Sequence, residues 1–139
     1  MNPDNYGLKF HHFGMAVRST DATTKVLQGL GYRCGEEIYD PLQEVNLIWC
    51  EHDSMPAVEL VSPTESPGPV DKILEHSSES VYHMCFAAQS IADSIAAMKH
   101  DGVRVIPIVA AKPAVLFGHR PVSFYQLKGL GLIEIVELD

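Results

Sequence analysis

The sequence is short of positive charge, and this shortage limits the partners that the chain can bind. Its 139 residues include 10 Lys and Arg against 18 Asp and Glu, which gives a formal net charge of −8 and a pI near 5.2. Nucleic acids and anionic membrane surfaces bind to clustered cations. We therefore expect neither partner, and an anionic ligand would need a local cation.

Cysteines are also few, and long apolar runs are absent. Cys34, Cys50 and Cys85 lie far apart with no C-x-x-C pair, and an odd number of cysteines cannot close a disulfide framework. We expect reduced cysteines in the core. No apolar stretch approaches the roughly 18 to 20 residues of a membrane helix, and residues 1–7 do not look like a signal peptide. These absences predict a cytoplasmic protein without a membrane partner.

What the sequence does contain is an internal repeat. Residues 10–16, Phe-His-His-Phe-Gly-Met-Ala, are similar to residues 81–87, Val-Tyr-His-Met-Cys-Phe-Ala, when His12 is aligned with His83. The same alignment, continued without a gap, brings three further residues onto identical ones, and these pairs are Ser19 and Ser90, Gly31 and Gly102, and Arg33 and Arg104. The chain is therefore predicted to be a duplication.

The two copies also end alike. The run Ala-Val-Glu-Leu-Val at residues 57–61 resembles Leu-Ile-Glu-Ile-Val at residues 132–136. Each of these runs carries one glutamate, Glu59 or Glu134. Two histidines and two carboxylates thus occupy equivalent positions.

Apolar periodicity and capping residues predict the order βαβββ twice, which is an α+β fold. The predicted elements of the first copy are strands 8–17, 32–39, 45–50 and 57–62 and a helix from Ser19 to about Leu27. Those of the second copy are strands 81–88, 103–109, 122–127 and 130–138 and a helix over about 91–100. We expect one domain, residues 1–139, made of modules 8–62 and 80–139, joined by a linker at 63–79 with a short helix at 69–75.

Side-chain alternation along the predicted strands indicates which neighbours share a strand face with His12 and with Glu59. His12 shares a face with Gly14 and Ala16, whose small side chains leave open space beside the imidazole. Glu59 shares a face with Ala57 and Val61, so its carboxylate faces a half-buried interior and needs a partner there. The apolar segment Lys112–His119 is long for a hairpin and is predicted to be a flap over a pocket.

Two βαβββ modules with His on the first strand and Glu on the last resemble the vicinal-oxygen-chelate superfamily, which contains glyoxalases, bleomycin resistance proteins and dioxygenases. The resemblance covers residues 10–138. It implies a curved mixed sheet around a metal-binding cleft, and a homodimer. Carried over residue by residue, it implies that one divalent ion, Co, Ni, Mn or Zn, is held by His12, Glu59, His83 and Glu134.

Two imidazoles and two carboxylates suit a borderline or harder divalent ion with coordination positions left for substrate oxygens. Such an ion stabilises the enolate that forms when an α-proton leaves. A carboxylate of the same set can act as the base. Glu134 is the preferred catalytic residue, and Glu59 is its counterpart.

Within the superfamily, the chain is most similar to methylmalonyl-CoA epimerase-like proteins. The similar stretches are Glu59–Pro63, Ser66-Pro67, Val70–Glu75 and Tyr82-His83, together with residues 117–124, where His119 replaces a usual glycine. This similarity implies an isomerase that acts on a small carboxylate or acyl thioester. Asn46 lies near the place where bacterial epimerases can carry a second acidic residue, which puts two-base epimerisation in question.

Other activities remain open at this point. A glyoxalase I-like lyase fits the four residues equally well, and a non-catalytic antibiotic-binding protein shares the fold. An extradiol dioxygenase is less favoured, because its site usually has three protein ligands. The candidate substrate-binding residues are Arg120, Lys112, His119 and Asn46, and the cations among them suit a carboxylate or phosphate.

Overall fold

The computed structural model of the chain describes residues 4–138 and contains two helices and nine strands within them. The helices are α1 (Thr20–Gly29) and α2 (Ile91–His100). The strands are β1 (Leu8–Val17), β2 (Arg33–Cys34), β3 (Ile38–Asp40), β4 (Val45–Glu51), β5 (Val58–Pro63), β6 (Glu79–Ala88), β7 (Val105–Ala114), β8 (Arg120–Leu127) and β9 (Gly131–Glu137). Within residues 4–138, no helix is long and apolar enough to cross a membrane.

The chain divides into two compact units. The first unit is residues 12–82, and the second combines residues 83–138 with residues 4–11. Both units have one helix and a set of mixed parallel and antiparallel strands. The predicted α+β class with two copies of one βαβββ plan is therefore confirmed.

In the first unit the strand order is β2, β4, β5, β1, and β3 also pairs with β4. The pair β1 and β5 is parallel, and the other pairs are antiparallel. Ser19 begins α1 as its N-cap, with its hydroxyl accepting the N–H of Ala22 at 3.4 Å. Gly31, at φ +98°, follows the end of the helix, where the left-handed backbone favours glycine.

The second unit repeats this plan with the order β6, β9, β8, β7. Here β6 and β9 are parallel, while β8 is antiparallel to both of its neighbours. Ser90 caps α2 by accepting the N–H of Asp93 at 3.1 Å, and Gly102 follows at φ +84°. The serines and glycines that the repeat alignment paired therefore begin and end equivalent helices.

Each unit has its own apolar core. The first core is built by Val17, Tyr32, Ile48, Cys50, Val58 and Leu60. The second core is built by Ala88, Met98, Leu127, Ile133 and Ile135, with Met98 supplied by α2. Burial of these side chains holds the parallel strand pairs in a fixed register, since a slip of one residue would expose them.

The predicted strand at 32–39 is wrong, because the structure has two short strands there. Cys34 lies opposite Cys50, but Ile38 lies opposite Leu47. The chain thus advances four residues from Cys34 to Ile38, while β4 advances only three from Leu47 to Cys50. This extra residue is accommodated at Gly35–Glu37, between β2 and β3. A single inserted residue interrupts the ladder as a β-bulge does.

The predicted flap at Lys112–His119 and the helix at 69–75 are also corrected. Strand β7 continues through Lys112 to Ala114, and only a short 3-10 turn, Val115–Phe117, separates it from Gly118 and His119. Pairing with β8 supplies backbone partners that extend the strand. The segment at 69–75 contains only the 3-10 turn Ile73–Glu75, with Leu74 buried.

Leu60 lies in the first core and is 1% exposed. Leu60→Ala should lower the free energy of unfolding by about 2 to 5 kcal/mol, because the smaller side chain leaves a cavity. The matched control is Leu42→Ala at a position that is 54% exposed, which should change it by less than about 0.5 kcal/mol. Chemical denaturation measures both. Equal losses in the two variants would contradict the core assigned here.

Candidate metal site

His12 and Glu59 form a buried pair on the parallel strands β1 and β5. The register places Gly14 opposite Glu59, so the glutamate is level with the residue two positions after the histidine. His12 Nε2 lies 3.9 Å from Glu59 Oε1, and the two residues are 0% and 5% exposed. The first unit thus holds a nitrogen and a carboxylate oxygen close together away from solvent.

His83 and Glu134 form the equivalent pair on β6 and β9. Cys85 lies opposite Glu134, so the glutamate is again level with the residue two positions after the histidine. His83 Nε2 lies 3.3 Å from Glu134 Oε1, and the residues are 3% and 2% exposed. The second unit therefore repeats the register as well as the residue types.

Parallel pairing explains why each histidine meets its glutamate. Residues separated by two positions lie on the same face of a strand, so His12 and Gly14 share one face, as do His83 and Cys85. The glutamate opposite the second residue projects from the same side of its own strand. Strand alternation and register thus fix both pairs without any contribution from loops.

An aromatic ring contacts each of the two imidazoles edge to face. Trp49 on β4 lies opposite Glu59, and its ring centroid is 5.0 Å from that of His12 at an interplanar angle of 78°. Phe124 on β8 lies opposite Glu134, and its ring is 5.2 Å from His83 at 89°. Edge-to-face packing of this kind orients rings, so Trp49 and Phe124 hold the imidazoles in place.

The sequence analysis assigned no site role to either Trp49 or Phe124. A signal was available in the repeat. Trp49 precedes Glu59 by the same number of positions as Phe124 precedes Glu134. Aligning the ends of the copies on their glutamates would have shown an aromatic residue at the same position in both.

The donor atoms of each pair suit a divalent ion. Two atoms that each bind one ion at about 2.1 Å lie roughly 3 Å apart at a right angle and about 4.2 Å apart on opposite sides. Both measured separations, 3.9 and 3.3 Å, fall in this range. Imidazole nitrogen and carboxylate oxygen are also ligands that Zn, Co, Ni and Mn accept.

Three candidate substrate-binding residues lie near one end of the β7–β8 hairpin. Lys112 is exposed on β7 opposite Val122, His119 is exposed in the turn at φ +63°, and Arg120 begins β8 opposite Ala114. Asn46 lies in the first unit on β4, opposite Ser62 and Tyr39. The hairpin thus places the backbone positions of Lys112, His119 and Arg120 near one turn.

His11 behaves differently from its neighbour His12. Its ring contacts Phe117 edge to face, with centroids 5.4 Å apart at 89°, and it is only half-buried. The pair provides a comparison for the two other imidazoles, because it is a histidine–aromatic contact of similar geometry.

Comparison with known proteins defines the class to which this arrangement belongs. The family model of the glyoxalase/bleomycin resistance protein/dioxygenase superfamily matches residues 11–124. Since the match covers most of the chain, the protein belongs to this superfamily, as the resemblance of its repeats had predicted. No curated protein matches the chain in sequence.

Solved structures share the fold at low sequence identity. Methylmalonyl-CoA epimerase from Mycobacterium tuberculosis has a TM-score of 0.74 at 17% identity, covering 91% of this chain and 85% of that one. The hypothetical protein BH1468 from Bacillus halodurans C-125 has a TM-score of 0.73 at 24% identity, covering 95% of both chains. A Streptomyces coelicolor methylmalonyl-CoA epimerase variant in complex with 2-nitronate-propionyl-CoA gives 0.69 at 22%, covering 92% and 95%.

Replacing Phe124 with Leu should shift the ring-proton resonances of His83 in a two-dimensional NMR spectrum, because the aromatic ring current is lost while the space stays filled by an apolar side chain. Phe117→Leu is the matched control, and it should shift His11 but leave His83 in place. An unchanged His83 signal in Phe124→Leu would show that the ring does not lie against the imidazole.

Proposed function

We propose that His12, Glu59, His83 and Glu134 bind one divalent metal ion, and that the protein is a metal-dependent isomerase of the methylmalonyl-CoA epimerase type. The observation that carries this proposal is the identical register of the two buried pairs. In each repeat the glutamate lies opposite the second residue after the histidine, with an aromatic residue opposite the glutamate. Two unrelated structural pairs would have no reason to share all these features.

Burial supports a metal ion over a purely structural role for the four residues. Glu59 and Glu134 are carboxylates in strand interiors, where an isolated negative charge is costly. A doubly charged cation stabilises two buried carboxylates at once, and bound cations are often the largest local charges in such sites.

When bound, the ion supplies a Lewis acid that holds a substrate carbonyl oxygen and favours loss of the neighbouring proton. Glu134 is the proposed base, because its carboxylate is buried in a fixed position on β9 and is oriented beside His83. Glu59 is its counterpart in the first repeat, on β5 beside His12. Trp49 and Phe124 keep the two imidazoles oriented and shield them from water.

The proposed substrate is a small carboxylate or its acyl thioester. The epimerases that share the fold support this class, and one of them is described in complex with methylmalonyl-CoA. Lys112 and Arg120 offer cationic groups, and His119 offers an imidazole, for a carboxylate or phosphate at the end of the β7–β8 hairpin. Asn46 offers an amide on β4. The homodimer and the cytoplasmic location that we expect stay predictions.

His12→Ala should weaken Co²⁺ binding by at least about 10- to 100-fold, since loss of a residue that only hydrogen-bonds to a metal ligand already costs this much affinity. His100→Ala, which changes an exposed histidine on α2, is the matched control and should bind with wild-type affinity. Isothermal titration calorimetry measures both affinities. Equal affinity in wild type and His12→Ala would remove His12 from the proposed ligand set.

Proton exchange tests the activity. Metal-loaded protein in D2O should incorporate deuterium at the α-carbon of methylmalonyl-CoA, as followed by NMR. Glu134→Gln should slow incorporation by about 100-fold or more, since the amide cannot accept the proton. The surface variant Glu36→Gln, which changes an exposed carboxylate between β2 and β3, should exchange at the wild-type rate.

Rapid exchange in a metal-loaded Glu134→Gln protein would show that Glu134 is not the base. Absence of exchange in the metal-loaded wild type would instead contradict the proposed substrate. Binding of a compound without any conversion would favour the antibiotic-binding alternative.

A glyoxalase I-like lyase is the second candidate, and Asn46 is the observation that favours it. Asn46 is half-buried on β4 and cannot act as a carboxylate base. A proton transfer between adjacent carbons of a hemithioacetal needs one base on one face of the substrate. Epimerisation must instead deliver a proton to the face opposite the one from which it was removed. Conversion of a hemithioacetal, with no exchange on the thioester, would select this second activity.

A further inference from the structure

Cys34 and Cys50 lie directly opposite each other in the first unit, on the antiparallel strands β2 and β4. They are well separated in sequence, and nothing in the proposed chemistry uses them. Sequence reasoning treated all the cysteines as separate core residues, because their spacing matches no motif. The strand register brings two of the three thiols together.

The hydrogen-bond pattern identifies the kind of cross-strand pair that they form. The Gly35 N–H donates to the Trp49 carbonyl oxygen at 2.9 Å, and these residues flank Cys34 and Cys50. A bond between flanking residues marks the non-hydrogen-bonded position of an antiparallel ladder, where the Cα atoms are about 4.5 Å apart and the side chains are closest. Disulfides span Cα separations of about 4.4 to 6.8 Å, so a pair at this kind of position lies within the range that a disulfide can bridge.

The two thiols differ in environment. Cys50 is fully buried in the first core, whereas Cys34 is half-buried at its edge. Burial, and then hydrogen bonding with the Cys34 side chain, raise the pKa of the Cys50 thiol. Because Cys34 is the more exposed of the two sulfurs, we expect an oxidant to reach it first, and Cys50 lies opposite it in position to react next.

We propose that Cys34 and Cys50 are a hydroperoxide-sensitive dithiol that closes to a disulfide between β2 and β4. The Cys34 sulfur attacks one peroxide oxygen, the O–O bond breaks, and Cys34 becomes a sulfenic acid as water or an alcohol leaves. The Cys50 sulfur then attacks the Cys34 sulfur, the S–O bond breaks, and water leaves as the S–S bond forms. Two thiols are oxidised by two electrons in total, and one peroxide is reduced.

The disulfide would join β2 to the strand that bears Trp49, the residue next to Cys50. The Trp49 ring packs on His12 in the same unit, and its indole N–H donates to Glu51 Oε1 at 2.8 Å. Cys85 provides an internal control, because its cross-strand neighbour is Glu134 and it lies in the second unit. The inference does not depend on the proposed isomerase activity.

The test is thiol mapping of the full-length protein treated with hydrogen peroxide. After treatment, remaining thiols are labelled with N-ethylmaleimide under denaturing conditions and counted by mass spectrometry. The wild type should lose two hydrogens and take one label instead of three, and digestion should yield a Cys34–Cys50 linked peptide that dithiothreitol separates. Cys85→Ala should form the same link and take no label.

Single variants identify the order of the steps. Cys50→Ser should accumulate a Cys34 sulfenic acid that dimedone traps, whereas Cys34→Ser should retain an unoxidised Cys50. Three labelled thiols in peroxide-treated wild type, a link between two chains, or oxidation of Cys85 as fast as Cys34 would overturn the proposal. The wild-type peptide map tests for the Cys34–Cys50 disulfide even where a serine variant does not fold.

Discussion

Each repeat pairs its first and last strands in parallel, and this pairing positions both the core and the candidate site. In β1 with β5, and in β6 with β9, the register sets a glutamate level with the second residue after a histidine. Strand alternation then places both side chains on one face. A shift of one residue in either pair would turn the glutamate to the other face and expose core residues such as Leu60 or Ile133, so core packing and site geometry are fixed together.

The second repeat contains a segment that is longer than its equivalent in the first repeat. The second copy is longer between Arg104 and Phe124 than the first copy is between Arg33 and Trp49. The extra length therefore lies in the segment that includes β7 and its hairpin with β8. In the first unit the corresponding segment is broken into β2 and β3. The longer hairpin carries three cationic or titratable side chains, which gives the second repeat the candidate groups for an anionic substrate.

Much of the fold could be predicted from the sequence because its signals are local. Ser19 and Ser90 at helix starts, Gly31 and Gly102 after helix ends, and alternation around His12 and His83 act within a few residues. The break in the predicted strand 32–39 depends instead on one extra residue opposite β4. The Cys34–Cys50 pair and the Trp49 contact depend on register between distant strands, which no local pattern encodes.

We propose that the two histidine–glutamate pairs bind one ion. Crystals grown with Co²⁺ and measured at the cobalt absorption edge would test this proposal through the anomalous difference map. A single peak per chain, bonded to His12, Glu59, His83 and Glu134, is expected. Two peaks per chain, one at each histidine–glutamate pair, or a peak that leaves either pair unbonded, would contradict it.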